Sequence, residues 1–242
     1  MLYRWICNMD ETIGFNEAYR TLSGYGCTSR EGRAHTLYTR VGLSDEEISS
    51  NGVQFKHGML YFHDEHEISE HDMGEDGTIE ENRFIRRRFH AVPFTLVSNP
   101  GLIMFNNTKQ PSQNAKAILS EILYGMDEKV NAVEYNIQAI EADLLKGQFS
   151  GLWTVDYKDR QGPIKKGRVY GDDIDQDAMY GQVAGAPRNN IGIKMMSGDK
   201  DLKVNIYRTG NIAMFAGWNQ PQDVTKIYEI VEALRPYQTV KG

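Results

Sequence analysis

LKVNIYRTGNIAMFAGWNQPQDVTKIYEIVEAL, residues Leu202–Leu234, holds two extended runs around a glycine turn, then a polar loop and a helix. Val204 and Ile206 alternate with Asn205 and Tyr207, the two-residue period of a half-buried strand. After Gly210, Ile212 and Met214 alternate in the same way with Ala213 and Phe215. From Val224 onward, Ile227, Tyr228, Val231 and Leu234 fall at helical spacing. Pro221 suits the first turn of that helix, where its missing N–H costs nothing.

A second stretch, PFTLVSNPGLIMFNNTKQPSQNAKAILSEIL (Pro93–Leu123), repeats the order. Gly101 matches Gly210, Gln110-Pro111 matches Gln220-Pro221, and Ala115, Ile118, Leu119, Ile122 and Leu123 trace the helical stripe. Shared features in one order make an internal repeat. The expected fold is α+β: an antiparallel sheet of two divergent strand–turn–strand–helix units, with helices Pro111–Tyr124 and Pro221–Leu234 on one face. The bare face would then carry Asn205, Tyr207, Ala213 and Phe215. Tyr207 and Phe215 are expected there as neighbours across the Gly210 hairpin, forming a paired aromatic platform.

The chain divides at about residue 125 into an N-terminal half (1–125) and a C-terminal half (126–242), with no low-complexity linker, so the halves are expected to pack as one unit. Val130, Val133, Ile137, Ile140 and Leu144 predict a helix closed by Gly147. MLYRWIC, the Phe149–Lys158 segment, the run ending in GRVYG and Asn189–Met196 predict strands, the last turning at Ser197–Lys200 into the Leu202 strand. GFNEAYRTLSG predicts a short helix and VQFKHGMLYF a hairpin. Between His63 and Glu81 lie nine carboxylates and no Lys or Arg. That stretch reads as a solvated loop able to fold back on the basic run that follows, RFIRRRFH.

With 242 residues, 40% hydrophobic and 25% charged, the chain can bury a core without staples. It has no apolar run long enough for a membrane helix, its N-terminus lacks a secretory pattern, and Cys7 and Cys27 cannot make a disulfide framework. An intracellular setting is expected. A net charge of −6 gives no global field for nucleic acid, so any such binding must be local.

The segment from Ile191 to Tyr237 resembles the C-terminal half-repeat of TATA-box-binding proteins, in the divergent form found in large DNA viruses. The resemblance is weaker around Gly101. It implies a curved sheet seated on double-stranded DNA, without catalysis or cofactor, acting in transcription or in recognition of foreign DNA. Tyr207, Phe215 and Met104 would be wedges between base steps, Asn205 a base-edge reader, and Lys203, Arg208, Arg86 and Arg88 phosphate contacts. The chain departs from the family at Leu102 and Asn211, where a basic residue is usual. It departs again at Ser98, where an aromatic is usual, and at Asn107 and Gly217 around the second glycine.

Two other classes compete. A protein-interaction or dimerisation module could use the same sheet face, which the acidic balance favours. A metal-dependent enzyme would need converging ligands: His63, His66 and Glu70 could meet on one helical turn, and Asp172, Asp173, Asp175 and Asp177 could hold Mg²⁺. Against these, a loop does not converge its ligands, and an acidic group ahead of a helix more often caps it. Cys27 lies in an arginine-flanked, glycine-rich segment but with nothing that marks a triad.

Overall fold

The structure is a computed structural model and describes residues 2–99, 101–106, 109–126, 128–144, 151–158, 165–183, 185–197, 200–215 and 223–239. Gly147, Gly217, Asn107 and the Gln220-Pro221 pair lie outside the described residues. The fold is α+β. Among the described residues, five α-helices accompany one large antiparallel sheet and a two-stranded ribbon.

Strand β1 (Leu2–Met9) lies in the middle of the sheet. Its sequence shows why: Trp5, Cys7 and Met9 are buried in one core cluster and Ile6 in another, as befits a strand covered on both faces. The N-terminal half supplies α1 (Phe15–Gly24), β2 (Cys27–Glu31), β3 (Thr36–Ser50), β4 (Val53–Met73), β5 (Ile79–Val97), β6 (Leu102–Phe105) and α2 (Lys109–Tyr124). Next come β7 (Val130–Ala132), which pairs with β1, β8 (Glu134–Tyr135) and α3 (Ile137–Leu144). The C-terminal half adds β9 (Gly151–Tyr157), β10 (Gly167–Tyr170), α4 (Ala178–Gly181), β11 (Arg188–Ser197), β12 (Lys200–Tyr207), β13 (Asn211–Met214), α5 (Asp223–Ala233) and β14 (Gln238–Thr239). Across the sheet the order is β10-β9-β11-β12-β13-β1-β6-β5-β4-β3-β2.

Both repeat hairpins, β5–β6 and β12–β13, lie in this sheet, and both turn glycines have positive φ (+89° at Gly101, +80° at Gly210). At Gly210 space adds to conformation, because a Cβ there would meet the Val133 carbonyl oxygen at 2.2 Å. The expectation that both repeat helices share a face is corrected. Ala115, Leu119 and Leu123 of α2 pack with Trp5, Cys7, Ile103 and Phe105. Val224, Ile227, Ile230 and Val231 of α5 pack with Ile6, Met104, Ile206 and Ile212, on the other side. Strand direction explains it. β6 and β13 are both antiparallel to β1, hence parallel to each other. Two like-handed hairpin–helix units placed side by side in one direction are related by a twofold along the strands, which turns one of them over. The residue two beyond each glycine registers this: Ile103 faces the α2 cluster, Ile212 the α5 cluster.

Three local expectations also change. The acidic stretch 63–81 is not a loop: β4 and β5 form a long hairpin paired from Phe55↔Val97 to Met73↔Ile79, turning at residues 74–78. The acidic strand does lie against the basic one, with Asp64 opposite Arg88 and Glu65 opposite Arg87. Cross-strand charge complementarity lets a highly polar sequence hold a strand. VQFKHGMLYF is one strand rather than a hairpin, with Gly58 kept small because a Cβ would strike the Phe94 ring. The helix expected from Val130 begins only at Ile137; Val130 pairs with β1 instead, since burial against that strand overrides a weak helical preference.

Candidate functional site

Among the described residues, no helix covers the face of the C-terminal half away from α5, built on β9, β11, β12 and β13. Register places Asn190 opposite Tyr207, Gly192 opposite Asn205, and Lys194 opposite Lys203. At β9 the pairing shifts: Gly192 faces Thr154 and Ile193 faces Leu152, leaving Trp153 as an extra residue. This bulge re-aims the indole, so that Trp153, Thr154 and Asn205 all crowd the space above the Gly192 Cα; a Cβ there would meet each of them within 2.7 Å. Phe215 stands on the indole edge-on, 4.9 Å between centroids, and remains 44% exposed. The Lys203 ammonium lies over the indole at 5.6 Å.

Polar atoms around this pair are incompletely satisfied. Trp153 Nε1, Asn190 Oδ1 and Asn205 Oδ1 are buried with no hydrogen-bond partner, and Asn190 and Asn205 are only 2% and 3% exposed. Leaving such atoms unmatched costs roughly 1–3 kcal/mol each, and all three lie around the Trp153–Phe215 pair. The exposed Phe215 ring offers a surface for stacking.

The cations here are already matched. Lys194 and Lys203 face each other across the strands and share Asp172 at 3.1 and 3.2 Å, and Lys194 also reaches Asp173 at 3.0 Å. Hydrogen bonds from the two lysines hold the Asp172 carboxyl below the usual range, and Asp173 in turn raises Lys194. Arg168 pairs with Asp156, which also accepts from Asn190 Nδ2 at 2.7 Å.

Of the residues expected from sequence to form the site, Lys203, Asn205, Tyr207 and Phe215 share this face. The paired platform of Tyr207 and Phe215 is corrected. The Phe215 N–H donates to the Lys203 carbonyl, and Asn205 and Ala213 stand opposite each other between the two aromatics. The aromatic neighbour of Phe215 is Trp153, which alternation along WTVDY places on the wrong face because the bulge is invisible to it. Met104 is 0% exposed in the core shared with α5 and cannot be a wedge. Arg208 is exposed beyond the strand end and lines a cavity with Lys158 and Arg188 near β8. Arg86 and Arg88 lie on β5, four strands from β12, roughly 19 Å across the sheet. They pair with Glu70 at 2.8 Å and Asp64 at 3.0 Å.

The metal candidates do not converge. Strand alternation puts His63 and His66 on opposite faces, and His66 and Glu70 lie about 13 Å apart along β4. Asp172 and Asp173 clamp lysines, and Asp177 caps α4 by accepting from the Met179 N–H at 2.7 Å. Among the described residues no group of three ligating side chains gathers.

No protein-family model matches this chain, and no curated protein matches it. The chemistry of the sheet face therefore carries the functional reading.

Proposed function

We propose that the protein binds nucleic acid without catalysis through the C-terminal half of its sheet, in transcription or in recognition of foreign DNA. The observation that carries this reading is the Trp153–Phe215 pair, whose Phe215 ring is exposed on the sheet face. Base stacking on aromatic side chains contributes about 1–3 kcal/mol per base and tolerates any sequence. A concave saddle on a duplex, which the family resemblance implies, would need one bare face across both repeats. Here α1 and α2 occupy that face in the N-terminal half. Because the local lysines are pre-paired, stacking on unpaired bases is favoured over neutralisation of duplex phosphates.

The test is a fluorescence-anisotropy titration of short mixed-sequence single strands and duplexes at low and moderate salt. Single strands should bind more tightly, with quenching of tryptophan emission and a shallow salt slope. Absence of binding to either form at low salt would sink the proposal. The rival is a protein partner docking on the same face. It is favoured by the pairing of Lys194 and Lys203 with carboxylates, and by the net charge of −6.

A further inference from the structure

The long β4–β5 hairpin leaves one strand edge open. The β3–β4 pairing ends at Thr39↔Phe62, and β6 pairs with β5 only over residues 94–97. Among the described residues, no strand pairs with the outer side of β5 over residues 79–92. Two hydrogen bonds fix which backbone groups point outward. The Asn106 N–H donates to the Pro93 carbonyl on the β6 side, and the Ser98 N–H donates to the Gln54 carbonyl on the β4 side. Backbone groups alternate between the two sides of a strand, and the β4–β5 register is unbroken. The N–H and C=O groups of the odd-numbered residues from 79 to 91 therefore point away from β4. His35 Nε2 lies 3.0 Å from one of them, the Ile85 carbonyl oxygen, which keeps a second lone pair.

An open edge invites pairing, and charged side chains usually discourage it. Here the charges are sorted along the strand, with Glu80 and Glu81 at one end and Arg86, Arg87 and Arg88 at the other. Two antiparallel copies joined through their outward groups must pair odd residues with odd ones, so only every second register is open to them. With Phe84 opposite Phe84 of the second copy, Glu80 meets Arg88 and Glu81 meets Arg87, twice over by symmetry. The same register sets Ile79 opposite Phe89. Ile79, Phe84 and Phe89 are 69%, 44% and 59% exposed, and each gains an apolar neighbour. The next open register on one side puts Arg83 opposite Arg83, and on the other Arg83 opposite Arg87. Like charges directly opposite are destabilising. Charge and apolar matching thus select the same register. Asp64 holds Arg88 within its own hairpin, so Glu80 of the second copy would join an existing pair.

We propose that the protein forms a homodimer by antiparallel pairing of β5 with β5 of a second copy, about a twofold axis at Phe84. Such an interface is self-complementary and closes at two copies. It is separate from the Trp153–Phe215 face and does not depend on it.

Sedimentation of the intact protein across a concentration series tests the proposal. Monomer and dimer should exchange with Kd below about 100 μM, and no larger species should accumulate. Glu80→Lys with Glu81→Lys sets like charges opposite Arg88 and Arg87 and should weaken the dimer about tenfold or more. Both glutamates are exposed, so the melting temperature should change little. Arg83→Pro removes an outward N–H and should weaken the dimer by a route independent of charge; if it does not fold, the glutamate variant carries the test. Cross-linking reads the register. In a Cys27→Ser background, which removes the exposed native thiol, the thiol oxidant diamide should link Phe84→Cys into a disulfide dimer, because a residue on the axis lies within reach of its copy. Asn82→Cys should not link, since the register sets it opposite Arg86. The proposal is overturned if the protein stays monomeric up to about 1 mM, or if the glutamate variant dimerises like the parent. It is overturned equally if Asn82→Cys links as readily as Phe84→Cys, or if Phe215→Ala abolishes the dimer.

Discussion

Phe215 stands edge-on to Trp153, ring centroids 4.9 Å apart and planes at 85°. The contact joins β13 to β9 across two intervening strands and leaves one ring exposed on the open side. Such a pair contributes about 0.5–1.5 kcal/mol beyond its buried area. With the buried part of the ring added, Phe215→Ala should cost about 1–3 kcal/mol in a urea melt, below the roughly 3–5 of a fully buried phenylalanine. Loss of one stacking contact should weaken single-strand binding roughly 5- to 150-fold. A stability loss of several kcal/mol with binding intact would instead make Phe215 a core residue.

Asp172 determines how much positive charge this face offers. Asp172→Asn should release Lys203 to nucleic acid phosphates while Asp173 still holds Lys194, raising affinity at low salt. The slope of log K against log salt should steepen by roughly 0.7 per additional phosphate engaged by a single strand. An unchanged slope would place Lys203 outside the bound surface. The same pairing gives a pH dependence. Because the folded carboxylate titrates below its unfolded range, its stabilising contribution is present above that range and is lost as pH falls through the folded value. In urea melts the parent should lose more stability than Asp172→Asn on acidification below about pH 4.

Met104 tests the core assignment. Its side chain is fully buried between β1 and β5 and packs in the cluster shared with α5. Met104→Ala should destabilise by about 2–5 kcal/mol in equilibrium unfolding. Nucleic-acid affinity of the folded fraction should be unchanged. A change under about 1 kcal/mol would contradict the packing described.

Glu65 anchors the turn between β2 and β3, accepting hydrogen bonds from the backbone N–H groups of Arg33, Ala34 and His35 at 2.6, 2.9 and 2.8 Å. The Ala34 N–H leads in holding this carboxyl below the usual glutamate range, against a smaller opposing effect of desolvation. The stabilisation is therefore complete above that range and lost as pH falls through the lowered value. Amide exchange at residues 33–35 should be protected at neutral pH, and Glu65→Ala should remove that protection while sparing β12. Equal protection in the variant would show that the turn holds without the carboxylate.

Local composition determined much of this molecule. Alternation at Val204–Tyr207, the turn at Gly210 and the apolar stripes of α2 and α5 follow from side-chain period and the conformational freedom of glycine, both carried within a few residues. The shared face of Lys203, Asn205, Tyr207 and Phe215 was legible for the same reason. Tertiary structure decided what depends on pairing at a distance. Insertion of β1 between the repeats made their hairpins parallel and sent α2 and α5 to opposite faces. Pairing of an acidic strand with a basic one turned an apparent loop into a long hairpin, because each strand's charge is tolerable only beside the other. The bulge at Trp153 arises from the register of β9 against β11, so the indole that completes the candidate site could not be placed from its own strand.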